Sequence, residues 1–205
     1  MPFDLGNTAK TALVVMDLQN DVVNPDSEIA QKLGFAKAVE ESRVLDNIKR
    51  LLDAFRGAKL PVIHVVVDFS ESKAFQKPHR GQFIKAIESF GPILEKDSWG
   101  GQIHEDFVPA EGEPVIRKPF FSAFSGTNLH EVLRSRDISQ LILTGVTTDF
   151  VVDSTSWSAS DLGYDVIVPR DACVCANIAD HENAIKRLAA RADITDTASI
   201  IEAIR

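Results

Sequence analysis

Asp17 and Lys118 are two ionisable residues that stand at the ends of apolar runs. Asp17 follows the apolar residues 12–16, and Lys118 ends the run that begins at Val115. A charged group in such a place is costly unless it is paired or functional. At the ends of neighbouring strands the two could meet, and the ammonium would favour the ionised carboxylate. The alternatives are an Asp that caps a turn and a solvated Lys.

A strand-to-helix turn around Gly145 is the third place where we expect chemistry. Residues 141–143 are apolar, and Thr148 and Asp149 after the glycine can both cap the N-terminus of a helix. The free N–H groups of such a turn suit an anion or an oxyanion. A plain strand-to-helix connection without a ligand is the alternative.

The chain contains two cysteines, Cys173 and Cys175. Cysteines separated by one residue rarely form a structural disulfide, and no second pair is present to complete a zinc site. This cysteine usage favours a reducing compartment. We expect both to be small buried residues, and neither occupies the turn at Gly145.

The elements that must position these residues follow from the alternation of apolar runs with amphipathic stretches. The predicted strands are Ala12–Met16, Val62–Val67, Val115–Ile116, Leu141–Leu143, Val166–Val168 and a short one near Ile194. Most are rich in Val, Ile or Leu without in–out alternation, which is typical of strands buried on both faces. Helical spacing predicts helices over 36–55, 129–133, 178–190 and 198–204. Residues 70–108 suit a helix followed by a covering loop.

This order of elements predicts an α/β protein with a mostly parallel sheet and helices on both faces. A length of 205 residues, with no repeat or linker, favours a single domain over residues 1–205. The net charge of −8 argues against nucleic-acid and anionic-membrane partners, which need a basic surface. The absence of a signal core and of long apolar runs favours a cytoplasmic protein.

The motifs, taken in chain order, resemble those of the isochorismatase-like superfamily, also called the cysteine hydrolases. That group includes isochorismatases, nicotinamidases, N-carbamoylsarcosine amidohydrolases and ureidoacrylate hydrolases. The resemblance covers nearly the whole chain and implies a three-layer Rossmann-like fold with a parallel six-stranded sheet. It is carried by residues 12–21 (ALVVMDLQND), 61–64 (PVIH), 118–129 (KPFFSAFSGTNL), 144–149 (TGVTTD) and 163–172 (GYDVIVPRDA).

The resemblance also implies a catalytic triad of Asp, Lys and Cys, in which Asp17 and Lys118 match the first two members. The family's nucleophilic Cys normally stands six residues after the glycine of the turn. Counted from Gly145, that position is Val151. A valine has no dissociable proton and no lone pair, so it cannot form the covalent acyl-enzyme of the amidase members.

Substrate contacts are expected from residues around these three positions. The predicted substrate-binding residues are Gln19, Phe120, Phe124, Val146 and Thr147. The phenylalanines, with Phe121, would wall an apolar pocket, although core packing is the alternative. Backbone N–H groups near Thr147 and Val151 are expected to be available, and the resemblance implies a cis peptide at Val146–Thr147.

Isochorismatases also lack the Cys, and the resemblance to them favours cleavage of a vinyl ether. Their Asp is thought to protonate the enol-ether carbon, after which water attacks the oxocarbenium ion. We therefore expect a hydrolase for a small anionic metabolite, with Asp17 as proton carrier and Lys118 orienting it. Arg117 and Arg170 would add local positive charge.

No metal or other cofactor is expected, because the Asp-Trp-His motif of the metal-dependent members is absent. The corresponding residues 64–69 read HVVVDF, and His64 is expected to pack in the core. The expected partners are a small-molecule substrate and further copies of the chain, as a homodimer or homotetramer. Two alternatives are a non-catalytic small-molecule-binding or interaction module and a cysteine amidohydrolase with a Cys-to-Val substitution.

Overall fold

A parallel sheet runs through the middle of the computed structural model, which describes residues 3–70 and 80–204. Its strands are β1 (Thr11–Met16), β2 (Val62–Val67), β3 (Val115–Lys118), β4 (Gln140–Val146), β5 (Asp165–Pro169), β6 (Cys173–Val174) and β7 (Asp193–Thr195). Six of them lie in the order β3-β2-β1-β4-β5-β7, and all their pairings are parallel. The predicted α/β class and the six predicted strands are confirmed.

The strand β6 is a seventh one that the sequence pattern did not predict. β5 pairs with β4 only at residues 140–142, so the end of β4 is open on that side. The chain returns after a 3₁₀ turn at Arg170–Ala172, and Cys173 and Val174 pair with Gly145 and Val146. A strand of two residues is too short to leave a periodic signal in the sequence.

The helices of the described residues cover both faces of the sheet. They are α1 (Asn20–Val23), α2 (Glu28–Lys32), α3 (Phe35–Ser42), α4 (Val44–Gly57), α5 (Gln82–Ser89), α6 (Leu129–Ser135), α7 (Asp153–Asp161), α8 (Ile178–Leu188) and α9 (Thr197–Ile204). The helix expected over 36–55 is two helices, because Arg43 adopts the left-handed conformation with φ of 57°. None of these helices is long and apolar enough to cross a membrane.

Alternate residues of β1 point into two separate apolar clusters. Leu13 and Val15 pack with α3, α4 and α9 on one face, whereas Val14 and Met16 pack with α6, α7 and α8 on the other. The strand is buried along its whole length, as its unbroken apolar run predicted. This arrangement is the expected three-layer architecture.

The covering segment over one end of the sheet begins with α5 and continues as irregular chain to a 3₁₀ turn at Glu105–Phe107. It matches the helix and loop predicted for 70–108, of which residues 71–79 lie outside the described residues. The carboxyl end of β1 lies beneath the segment, between β2 and β4. Strand order reverses there, and open α/β sheets bind their ligands at such a point.

Candidate active site

Asp17 is the first residue after β1 and lies at the point where the strand order reverses. Its φ of 58° is left-handed, and its N–H donates a hydrogen bond to the Val65 carbonyl over 2.9 Å. On the other side of β1, Gly145 approaches so closely that a Cβ there would lie 2.1 Å from the Met16 carbonyl oxygen. The glycine therefore lets β4 pair with β1 right up to the residue that precedes Asp17.

Lys118 lies at the end of β3 and reaches across the end of β2 to Asp17. Its Nζ donates hydrogen bonds to Asp17 Oδ2 over 2.8 Å and to the Phe120 carbonyl over 2.7 Å. The Lys118 side chain is 0% exposed and the Asp17 side chain is 4% exposed. The other carboxylate oxygen, Asp17 Oδ1, is buried without a hydrogen-bond partner among the described residues.

The electrostatics of the pair follow from this burial. Loss of water raises the pKa of Asp17 to about 6, although the Lys118 ammonium opposes the rise. Burial likewise lowers the pKa of Lys118, and Asp17 opposes that change. A carboxyl group with a pKa near neutrality and one open oxygen is suited to give and take protons.

The turn after β4 brings Val151 to the same place. The peptide Val146–Thr147 is cis, and one π-helical turn (148–152) then leads into α7. Thr147 is the cap, one residue earlier than predicted, and its hydroxyl oxygen accepts from the Phe150 N–H. The Val151 N–H donates to the Thr147 carbonyl over 3.0 Å. The Val151 N–H is thus already used, contrary to the expectation that it would be available.

A cavity of about 60 Å³ joins these elements beneath the covering segment. Its described lining includes six phenylalanines, namely Phe35, Phe69, Phe83, Phe120, Phe121 and Phe150. The remaining lining residues are Val, Leu and Ile, with four polar exceptions: Asp17, Asp21, Lys118 and Thr147. The predicted site residues Phe120, Val146, Thr147 and Val151 all line this cavity with the Asp17–Lys118 pair.

Gln19 and Phe124, two of the predicted substrate-binding residues, are not part of the described lining. Both ends of the Gln19 amide bind backbone: the nitrogen donates to the Val67 and Gly101 carbonyls, and the oxygen accepts from the Val67 N–H. Phe124 stacks on Tyr164 with ring centroids 5.8 Å apart. Gln19 therefore links the covering segment to β2 through hydrogen bonds, and Phe124 packs against Tyr164.

An aromatic stack reaches the cavity from three different elements, and sequence reasoning identified only one of its members. Phe150 stacks on both Phe83 and Phe121, with ring centroids 4.5 and 5.1 Å apart and interplanar angles of 17°. The ring centroids of Phe83 and Phe121 lie 6.1 Å from each other, so the three rings form a triangle. Phe83 belongs to α5, so the stack holds the covering segment against the turn. The high Phe content of the chain was the available signal, but it does not show which rings meet.

A buried histidine supports the turn from α8. His181 Nδ1 lies 2.9 Å from the Thr148 hydroxyl, and burial lowers the pKa of the ring. This pairing was missed, since the sequence offered no histidine near the turn. Thr148 is fully buried and is not among the residues that line the cavity, so the pair positions the turn and is not aimed at a substrate.

The two cysteines lie behind the turn, and both are buried. Burial raises the pKa of Cys173, and it raises that of Cys175 to about 12, with the neighbouring Asp149 adding to the rise. Both thiols are therefore neutral at physiological pH. Among the described residues, no group of three or more His, Cys, Asp or Glu side chains is placed to hold a metal ion.

The fold and the buried acid–ammonium pair define a class, that of three-layer α/β hydrolases related to the cysteine hydrolases. Residues 11–199 match the family model described as the isochorismatase domain. The chain belongs to the isochorismatase family.

Relatives with known names or structures agree with this assignment. The ureidoacrylate amidohydrolase RutB of Rhizobium rhizogenes is 30% identical over 174 residues, which are 80% of this chain and 70% of the relative. An isochorismatase family protein from Desulfovibrio vulgaris is 27% identical, with a TM-score of 0.78 over 94% of this chain and 97% of its own. A cysteine hydrolase from Pseudomonas syringae has the same fold, with a TM-score of 0.83, 22% identity and coverage of 99% and 96%.

Proposed function

We propose that this hydrolase cleaves a small enol ether by proton transfer from Asp17, with water as the nucleophile and no covalent bond to the protein. The observation that carries the proposal is the second carboxylate oxygen of Asp17. Oδ1 is buried, faces no partner among the described residues, and belongs to a group with a pKa of about 6. A proton held there is available to a substrate in the cavity.

The proposed reaction starts with protonated Asp17. The acid gives its proton to the terminal carbon of the C=C bond, and the substrate becomes an oxocarbenium ion. Water adds to the carbon that carries the ether oxygen, and the proton that this water loses returns to the Asp17 carboxylate. The resulting hemiketal then breaks the C–O bond to the ether oxygen while the proton of its hydroxyl group moves to that oxygen, which yields an alcohol and a carbonyl compound. Asp17 ends the cycle protonated, as it began.

Lys118 has a supporting part in this proposal. Its ammonium fixes Oδ2 through the 2.8 Å hydrogen bond, which leaves Oδ1 as the oxygen directed to the substrate. It also stabilises the carboxylate that remains after the proton has left.

Water is the proposed nucleophile because no reactive side chain of the turn lines the described cavity. The Thr148 hydroxyl pairs with His181 but lies outside the described lining. Val151 lines the cavity where the resemblance implies a cysteine. The two thiols of the chain are buried and carry raised pKa values. The Thr147 hydroxyl caps the Phe150 N–H, with no base beside it in the described structure.

A second candidate is the hydrolysis of an amide or ureide, as the name of the Rhizobium relative suggests. In that reaction Asp17 would act as a base that activates water, so its carboxylate form would be the active one. A third candidate, a binding module without catalysis, needs no proton carrier.

The test is turnover in D₂O of a panel of small enol ethers, amides and ureides. Enol-ether hydrolysis through Asp17 places one solvent deuterium on the former vinyl carbon, which mass spectrometry or NMR detects in the product. We expect that label with the wild-type protein and its strong reduction with Asp17→Asn. Cleavage of amides or ureides alone would favour the second candidate, and absence of any turnover would favour the third.

A further inference from the structure

We propose that the cavity accepts an uncharged, apolar substrate group and rejects anions. This inference deepens the proposed function, because it concerns the same site. It departs from the sequence-based expectation of an anionic metabolite. Three properties of the described lining carry it: the balance of charges, the apolar walls, and the single open polar atom at Asp17.

The charge balance of the described lining is negative at pH 7.5, above the Asp17 pKa of about 6. There Asp17 and Asp21 contribute two carboxylates, and Lys118 contributes the one ammonium among the described lining residues. Arg117 and Arg170, which were expected to attract an anion, do not line the cavity; they lie near Asp68 and Glu182 at 3.9 and 2.6 Å. An anion that entered would lose its water and meet a cation whose charge is already paired.

Asp21 is held in place as a structural carboxylate. Its Oδ1 accepts from the Ser27 hydroxyl and its Oδ2 from the Leu94 N–H, both over 3.2 Å. Gly100 packs against it so closely that a Cβ there would lie 2.0 Å from Oδ2. These contacts fix a negative charge at the cavity wall while they hold the covering segment over the site.

The walls offer contacts to hydrocarbon. The stack of Phe83, Phe150 and Phe121 forms one side, and Val151 adds two methyl groups beside the catalytic pair. Removing apolar surface from water is favourable in proportion to the area buried. An apolar group of the substrate is therefore stabilised here.

One polar atom remains to orient the guest. Among the buried side-chain polar atoms of the described lining, Asp17 Oδ1 is the one without a hydrogen-bond partner. In the ionised form of Asp17, which prevails at pH 7.5, Oδ1 is an acceptor, so a neutral guest with one O–H or N–H donor satisfies it and fills the rest of the cavity with hydrocarbon. Such complementarity is typical of small-molecule sites, where a few polar groups orient a mainly apolar ligand.

The experiment compares benzyl alcohol with benzoate, which have the same ring and differ in charge. Binding to the full-length protein at pH 7.5 is measured by ligand-observed NMR titration, with the four proteins wild type, Phe83→Ala, Asp21→Asn and Phe124→Ala. We expect benzyl alcohol to bind at least about tenfold more tightly than benzoate. The benzoate carboxylate would be buried beside carboxylates of the same charge, and that repulsion weakens its binding.

The variants locate the binding. Phe83→Ala is expected to weaken benzyl alcohol binding about fivefold or more, since it removes one ring of the wall. Phe124→Ala is the matched control, because that ring lies outside the described lining, and it is expected to leave binding within about twofold. Asp21→Asn is expected to reduce the ratio of benzyl alcohol affinity to benzoate affinity, because it removes one negative charge from the lining.

Equal or tighter binding of benzoate by the wild type would overturn the inference, and so would an equal loss in the Phe83→Ala and Phe124→Ala variants. Failure of both probes to bind at millimolar concentration would also overturn it. The readout is binding without turnover. A negative deuterium experiment therefore leaves this result standing, and a negative binding result leaves the proton-transfer proposal to its own test.

Discussion

Two carboxylates, the buried Asp17 and the partly buried Glu113, show how differently one functional group behaves at opposite ends of the same sheet. Glu113 precedes β3 and is surrounded by donors: Arg56 binds both its oxygens over 2.8 Å, and His64 Nε2 and the Ala110 N–H contact Oε2 over 2.9 and 2.8 Å. Asp17 has one side-chain donor, Lys118, and an oxygen without a partner in the described structure.

The pKa values of the two groups move in opposite directions for this reason. Burial acts to raise both. At Glu113 the hydrogen bonds from Arg56, Ala110 and His64 outweigh burial and lower the pKa to about 2. At Asp17 burial outweighs Lys118 and raises the pKa to about 6. A fully bonded carboxylate is fixed as an anion and serves the fold, whereas a partly bonded one can change its protonation state.

Removing the ionisable group at Asp17 should have the largest effect on the molecule. Asp17→Asn keeps the shape and abolishes proton transfer, so kcat is expected to fall by about two to four orders of magnitude while substrate still binds. Steady-state kinetics give kcat and KM, and circular dichroism checks the fold. Glu113→Gln is the control and is expected to retain kcat; near-normal kcat for Asp17→Asn would contradict the proposed mechanism.

The pH dependence of turnover should follow Asp17 and not Glu113. If protonated Asp17 is the acid, kcat/KM falls about tenfold per pH unit as the pH rises above about 6. Its raised pKa also means that its contribution to stability is present below its unfolded pKa and is lost as the pH rises through 6. A pH–rate profile between 4.5 and 8.5 measures the change in kcat/KM. Activity that falls below pH 6 instead would identify Asp17 as a base and favour the amide or ureide reaction.

Weakening the other carboxylate should affect stability and leave chemistry alone. Glu113→Gln is expected to lower the free energy of unfolding by about 2 kcal/mol at pH 7, because hydrogen bonds to a charged group are lost in a mostly buried place. The lowered pKa of Glu113 makes its stabilisation present above its unfolded pKa and lost as the pH falls towards 2. Urea unfolding of both proteins at pH 7 and pH 3 should show the difference shrinking; a constant difference would refute this explanation.

The smallest expected effect is that of thiol modification. Iodoacetamide is expected to leave wild-type turnover unchanged, because Cys173 and Cys175 are buried with raised pKa values. The double variant Cys173→Ala/Cys175→Ala should behave alike apart from packing losses. Val151→Cys places a thiol in the cavity and should make turnover sensitive to the reagent. Loss of wild-type activity on labelling would return a thiol to the mechanism.

The sequence predicts well what depends on strand ends and poorly what depends on contacts between distant segments. An acid after the apolar run of β1 and a lysine at the end of β3 share one edge of a parallel sheet, and the long lysine side chain spans β2, which lies between the two strands. Gln19 stands only two residues from Asp17, but its amide binds Val67 and Gly101, and no local pattern indicates those partners. The link between Thr148 and His181 joins residues 33 positions apart.

Backbone conformation limited the fold prediction in a similar way. The break between α3 and α4 falls at Arg43, which adopts a left-handed φ. No glycine or proline stands next to it in the sequence to indicate a break. The π-helical turn and its Thr147 cap also follow from how β4 ends against β1 and β6, which is a tertiary property. Helical spacing predicted a single helix across Arg43, and the helix after the turn at Gly145 was expected from its capping residues and not from periodicity.

The contact at Gly145 has a consequence for how a protein of this kind can diverge. Any side chain at this position would meet the Met16 carbonyl and push β4 away from the residue before Asp17. Val151, six residues later, makes its hydrogen bond to Thr147 through the backbone, and its side chain lines the cavity and packs in an apolar cluster. Evolution can thus exchange the chemical identity of position 151 and keep the scaffold, whereas a change at 145 would remove strand pairing and acid placement together. New reactions in this framework should arise through the turn and leave the glycine in place.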